Sequence, residues 1–275
     1  VAGFAEVRQG YSETEAQREA ERCLNCAVCS ECQQCVQACK PGAVDLNQAT
    51  KKLALKVGAV ILAPGYRPFD ARQKAEYGYG RYANVVTALE FERLLSATGP
   101  TQGHLQRPAD GREPKKIAWI QCVGSRDKAA GRDYCSSVCC MYATKQALIV
   151  REHAAEAEPT IFFIDMRAHG KGFDRYYERA QDSGVRYVRS MVSRVAEKPR
   201  SKNLEISYID ANGQVQMEEF DLVVLSVGLD PHPGAVALGR RLELATNQWH
   251  FAVSQPGNDV ASSQPGIFTC GVYQA

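Results

Sequence analysis

"KKIAWIQCVGSRDKAAGRDYCSSVCCMYATKQALIVREH", residues 115–153, decides how the rest of the chain is read. It opens on an apolar run ending in glycine, the pattern of a strand buried on both faces, and closes on "VCCMYATKQALIVREH" (138–153), which reads as a helix. Further along, "TIFFID" (160–165) predicts a strand, "FDRYYERAQDSG" (173–184) a helix and "VRYVR" (185–189) a strand. Strands alternating with helices imply a parallel α/β sheet. In "NLEISYIDANGQVQMEEF" (203–220), Asn212-Gly213 between two strand-like runs predicts a hairpin, after which "DLVVLSVG" (221–228) returns to the sheet. Upstream, "VGAVILAPG" (57–65) predicts a buried strand ending in a tight turn, and the Gly-, Pro-, Tyr- and Arg-rich stretch from there to Lys116 reads as a surface linker.

A dinucleotide-binding sheet would carry G-x-G-x-x-G where its strand turns into a helix, because pyrophosphate must approach bare backbone at the helix N-terminus. The chain has no such motif, and here the turn is "QCVGSRDKAAGRDYCSSVCC" (121–140). Gly124 and Gly131 are not at fingerprint spacing, so tight NADH or NADPH binding by residues 116–228 is not expected. Four thiols stand there instead. Cys135 and Cys139 fall on one helical face, Cys140 is adjacent, and Cys122 ends the strand at the same mouth. The arrangement suits a [4Fe-4S] cluster at the C-terminal edge of the sheet, with sulfurs close enough for a disulfide in oxidised, metal-free protein. Buried small hydrophobes or a reactive vicinal pair are the other readings of Cys139 and Cys140.

The remaining composition narrows the function classes. With 275 residues, 45% of them hydrophobic, the chain is long enough for one large or two smaller globular units. A net charge of +2 gives no electrostatic reason to expect nucleic acid, and no apolar run approaches a membrane span. A cytoplasmic location is expected, where eleven cysteines point to metal or redox chemistry rather than disulfides.

Six of those cysteines lie in "CLNCAVCSECQQCVQAC" (23–39): Cys23, Cys26, Cys29, Cys32, Cys35 and Cys39. Cys29, Cys32, Cys35 and Cys39 reproduce the C-x2-C-x2-C-x3-C run of bacterial ferredoxins, with one residue inserted before Pro41. Two-residue spacers let the chain curl so that three thiolates meet one cubane, while the fourth often reaches another; Cys23 and Cys26 complete one cluster or contribute to a second. Structural zinc is the alternative, favoured less because zinc sites rarely use three consecutive two-residue spacers. Ser12 and Glu15 form a capping-box pair for a short helix leading to Cys23. Cys270 stands alone.

At this point a resemblance becomes specific. "KKIAWIQCVGSRD", "YCSSVCCMYATKQALI", "FFIDMRAHGKGFDRYYERA", "EYGYGRYANVVTALEFERLLSATGPT" and "FDLVVLSVGL" together resemble the heterodisulfide reductase A-subunit family over nearly the whole chain. The resemblance implies a Rossmann-like fold of the two-dinucleotide-binding flavoprotein type, similar to thioredoxin reductase, with an N-terminal cysteine-rich ferredoxin-like segment. It also implies FAD, several [4Fe-4S] clusters, and electron exchange with other heterodisulfide-reductase-type subunits and ferredoxin or hydrogenase-type donors. By it, Cys122, Cys135, Cys139 and Cys140 become cluster ligands, and no residue is expected as acid, base or nucleophile. The implied organisation is a ferredoxin-like segment over 1–50, a partial FAD-domain strand and linker over 51–115 joined by 229–275, and a degenerate pyridine-nucleotide-type domain over 116–228.

"VGAVILAPGYRPFD" resembles a flavin-domain strand, with Pro64 where Thr is more usual, and "GIFTCGVYQA" resembles the segment closing over the flavin, with Val272 where simpler relatives place Asp. Pro64, Gly65 and Gly271 are the implied flavin-binding positions. The flavin fingerprint normally precedes the ferredoxin-like segment, so the chain reads as an internal piece of a longer protein. A glutamate-synthase-like small subunit taking hydride from NADPH, and a non-enzymatic metal-binding scaffold, are the alternatives. His104, His153, His169, His232 and His250 are scattered without metal-binding spacing; Gly170 and Gly172 around Lys171, beside His169, read as a plain β-to-α loop in preference to an anion-binding turn near a helix start.

Overall fold

The structure, a computed structural model, describes residues 10–21 and 33–274. In chain order its elements are α1 (Glu13–Glu21), α2 (Gln34–Ala38), β1 (Val60–Leu62), β2 (Tyr66–Pro68), β3 (Val85–Thr87), α3 (Ala88–Leu95), β4 (Lys116–Val123), α4 (Cys139–His153), β5 (Glu158–Phe163), α5 (Phe173–Asp182), β6 (Arg186–Arg189), β7 (Val192–Glu197), β8 (Leu204–Ile209), β9 (Val215–Phe220), β10 (Leu222–Val227), β11 (Leu229–Pro231), α6 (Pro233–Arg241) and β12 (Ile267–Thr269). They divide into two compact units, one built mainly on residues 70–228, the other on 33–69 and 229–274.

The first unit is the expected α/β fold. A parallel five-stranded sheet runs β3-β10-β4-β5-β6, with Val224 opposite Trp119 and Ile161 opposite Tyr187. β10, "LVVLSV", is buried at every position, as a central parallel strand covered on both faces must be. One face carries α3, α4 and α5, whose Phe91, Leu94, Ala143, Ala147 and Ala180 pack with Ile117, Trp119, Ile161 and Val224. The other face meets the antiparallel sheet β7-β8-β9, where Phe162 lies edge-on to Tyr208 at 4.9 Å and to Phe220 at 5.8 Å. The turn at Asn212-Gly213 joins β8 to β9 as expected, with Gly213 at φ 77°.

The stretch expected to be a linker is corrected. Val85 pairs with Val223 of β10, making β3 the edge of the parallel sheet, and α3 buries Phe91, Leu94 and Leu95. A capping box starts that helix: the Thr87 N–H donates to Glu90 Oε2 at 2.6 Å, and the Glu90 N–H donates to Thr87 Oγ1 at 3.4 Å. Residues 70–115 therefore belong to the α/β unit.

In the second unit, β1 runs parallel to β12 and β2 antiparallel to β11, over a small core of Leu62, Ala235, Leu244, Ala252 and Tyr273. Here a second expectation fails: β1 has the composition of a buried strand, yet Ile61 is 72% exposed and only Leu62 of the strand is buried. Among the described residues its one strand partner is β12, and two of its three side chains, Val60 and Ile61, stay exposed. The expected helix after Ser12 is α1, with Ser12 N–H donating to Glu15 Oε2 at 2.9 Å. No helix among the described residues is long and apolar enough to cross a membrane.

Candidate metal centre

Where β4 ends, the backbone departs from ordinary conformations. Cys122 (φ 62°), Gly124 (φ 70°) and Arg126 (φ 56°) all take left-handed values, and Ser137 (φ 63°) does so just before α4. For a non-glycine residue that conformation costs roughly 1–2 kcal/mol, and such outliers cluster where a site dictates the backbone. The loop is pinned from the adjacent strand: Gly228, just past β10, donates its N–H to Val123 O at 2.8 Å. A Cβ at 228 would lie 2.6 Å from Gly124 O, so only glycine allows that approach. A short antiparallel bridge between Asp127 and Arg132 returns the chain, and Ser125 Oγ donates to Tyr134 O at 3.1 Å, which brings Cys135 back to the strand end.

The result is a small pocket lined by Cys122, Cys135, Cys139 and Cys140, together with Ser125, Ser137, Arg126, Asp165 and Arg167. Four cysteines separated by up to eighteen positions in sequence share one void, and all four are free thiols. Among the described residues no three Cys, His, Asp or Glu close up as around a single ion.

Their chemistry follows from burial. Desolvation pushes the Cys122 thiol up to about 11, with the neighbouring Cys140 adding to the shift and Arg126 opposing it. It takes Cys139 up to about 12, against a hydrogen bond from Tyr142, and raises Cys140 too. The thiolate is the nucleophile, so these groups are poor nucleophiles on their own at neutral pH. Only a positive partner placed among them makes the thiolate favourable, and a donor set of four soft sulfurs fits iron-sulfur or zinc chemistry. Cys135 Sγ accepts from the Ser137 N–H at 3.3 Å, while Cys139 Sγ lies 3.8 Å from Val227 O and Cys140 Sγ 3.9 Å from Asp165 O.

Two guanidinium groups complete the lining. Arg126 Nη1 pairs with Asp165 Oδ1, and Arg167 Nε lies 3.3 Å from the same oxygen. Desolvation pushes the Asp165 carboxyl up, but hydrogen bonds from both arginines outweigh it and hold the group below its ordinary value. None of the three is singled out by sequence motif. The available signal is that each sits within four positions of a strand end facing the cysteine loop, the edge at which open α/β sheets place ligands.

Of the N-terminal cysteines, Cys35 is exposed in α2 and Cys39 is half-buried beyond it, its Sγ accepting from the Ala43 N–H at 3.2 Å. Cys23, Cys26, Cys29 and Cys32 lie outside the described residues. Pro64, Gly65 and Gly271 stand just past the C-terminal ends of the parallel neighbours β1 and β12, which are tied there by Cys270 N–H donating to Leu62 O at 3.1 Å. Gly65 (φ 70°) and Gly271 (φ 67°) take left-handed turns, and a Cβ on either would meet open space. His169 and Lys171 are exposed in a plain loop before α5, and Cys270 is half-buried. His104 and His153, distant in sequence, line one cavity of about 590 Å³ together with Glu113.

No family model matches the chain. It is 45% identical over 260 residues to the iron-sulfur A-subunit of the CoB--CoM heterodisulfide reductase of Methanocaldococcus jannaschii, covering 93% of this chain and 39% of that protein. It is 39% identical over 259 residues to the A-subunit of the H(2):CoB-CoM heterodisulfide,ferredoxin reductase of Methanothermobacter marburgensis, covering 93% and 38%. To the A-subunit of the ferredoxin/F(420)H(2)-dependent CoB-CoM heterodisulfide reductase of Methanosarcina acetivorans it is 40% identical over 255 residues, covering 92% and 31%. The chain thus spans less than two fifths of the length of these relatives. Among solved structures, Lactococcus lactis thioredoxin reductase aligns at 15% identity and a TM-score of 0.43, over 78% of this chain and 57% of that one.

Proposed function

The chain belongs to the heterodisulfide reductase A-subunit family, and from that premise we propose that it is an electron-transfer segment of an iron-sulfur flavoprotein oxidoreductase. The observation that carries the reading is the single pocket lined by Cys122, Cys135, Cys139 and Cys140. These four would hold a [4Fe-4S] cluster, which supplies one-electron transfer when bound. The chain's own contribution is to gather four thiols, of which burial keeps Cys122, Cys139 and Cys140 neutral in metal-free protein, and to exclude water around them. Cys35 and Cys39, with Cys23, Cys26, Cys29 and Cys32, would hold further clusters of ferredoxin type, on the strength of spacing alone.

Pro64, Gly65 and Gly271 would border FAD, which converts between one- and two-electron partners when bound. Their place just past the C-terminal ends of the parallel strands β1 and β12 supports that assignment. Other subunits of a heterodisulfide-reductase-type complex, with ferredoxin or hydrogenase-type donors, are the proposed partners, and the cytoplasm the proposed location. The relatives' own names mention ferredoxin, F(420)H(2) and H(2). Anaerobic reconstitution followed by iron, acid-labile sulfide and zinc analysis tests the reading. Iron and sulfide in equal amounts support it, and zinc without sulfide would replace it with a metal-binding scaffold.

A further inference from the structure

We propose that Arg126 and Arg167 set the charge balance of the four-cysteine pocket, favouring the more negative state of the group its thiols hold. This rests on the reading that those thiols carry an iron-sulfur cluster.

A cubane held by four thiolates is a dianion that becomes a trianion on taking up one electron, and no proton need accompany that electron. A buried anion is costly unless positive groups face it. Of the nine residues lining the pocket, two are cations and one is an acid. Asp165 shares a single carboxylate oxygen between Arg126 Nη1 and Arg167 Nε. One carboxylate cannot neutralise two guanidinium groups, so one positive charge is left over at the lining.

That charge shares one void with the sulfurs: Arg126 and Arg167 line the same pocket as Cys122, Cys135, Cys139 and Cys140. The side chain of Arg126 is 21% exposed and that of Arg167 38%. At the depth of Arg126 screening by water and salt is incomplete. A structural role alone, stapling the loop after β4 to the loop after β5, would explain the contact with Asp165. It would leave the excess cation facing the thiols without an account.

The test uses the whole chain, reconstituted anaerobically and titrated with dithionite as the one-electron reductant under electron paramagnetic resonance. The relevant signal is the one that Cys122→Ser abolishes. Arg126→Gln and Arg167→Gln should each shift its reduction equilibrium at least tenfold toward the oxidised state, a drop of about 59 mV for a one-electron couple. Arg126→Lys, which keeps the charge, should restore most of the wild-type potential. Unmoved potentials in both glutamine variants at undiminished iron would overturn the inference while leaving the cluster in place. Loss of iron from Arg126→Gln and Arg126→Lys alike would overturn it in favour of a packing role. If no signal depends on Cys122, the cluster reading fails first and this inference falls with it.

Discussion

Phe91→Ala tests most sharply whether residues 85–95 belong to the core. The Phe91 side chain is fully buried and meets Trp119 edge-on, with ring centroids 5.3 Å apart at 87°. Returning that much apolar surface to water is worth about 1.5–3 kcal/mol. The lost edge-to-face contact adds about 0.5–1.5 kcal/mol. The surroundings cannot collapse freely, because the Trp119 indole is held by an N–H donated to Gln146 Oε1 at 3.0 Å. A loss of about 3–5 kcal/mol is therefore expected, a large share of a domain's total stability. In urea this lowers the unfolding midpoint by about 1–3 M at unchanged slope, followed by Trp119 fluorescence and far-UV circular dichroism. Phe91→Leu should cost less than about 1.5 kcal/mol, and Leu89→Ala, on the exposed face of α3, about 0.5 kcal/mol or less. If Phe91→Ala cost no more than Leu89→Ala, the placement of α3 against the sheet would be wrong.

Three further outcomes concern the cap of α3 and the buried thiols. Thr87→Ala removes one arm of the capping box and should cost about 1 kcal/mol in the same unfolding assay, while Thr87→Ser should retain most of it. In metal-free, reduced protein, Cys122 and Cys139 are raised to about 11 and about 12, so at pH 8 iodoacetamide should label them roughly a hundredfold more slowly than an unfolded thiol, as read by peptide mass spectrometry. Because the folded state holds these protons more tightly than the unfolded one, the associated stability is complete below about pH 8.5 and is lost as pH rises through about 11 to 12. A midpoint that rises with pH across that window would contradict the burial of the two thiols.

Much of the α/β unit is legible because its strands and helices declare themselves locally. The run Lys116–Val123 with the helix after it, the strands around Ile161 and Val188, and the Asn212-Gly213 turn each carry a period or turn signal within a dozen residues. β3 is not, because three residues in a Gly- and Tyr-rich stretch are given a strand's identity only by pairing with Val223, far downstream. The Thr87-x-x-Glu90 box beside it is a local signal, and it marks the start of α3 within a stretch whose composition is that of a linker. β1 errs in the opposite direction: its composition is that of a buried strand, but burial depends on what covers it, and composition cannot report that.

The meeting of Cys122 with Cys135, Cys139 and Cys140 is legible from strand end and helix start, since the fold brings those two points together. The charges beside them are not. Arg126 and Asp165 belong to loops after different strands, and their pairing exists only once β4 and β5 lie side by side.

The central claim is that these four thiols form one metal-binding site, and iron counting across single serine variants tests it most directly. After identical anaerobic reconstitution of the whole chain, Cys122→Ser and Cys139→Ser should each lose about four iron atoms relative to the unmodified chain, while Cys270→Ser should lose none. Full iron retention in both Cys122→Ser and Cys139→Ser would contradict the account.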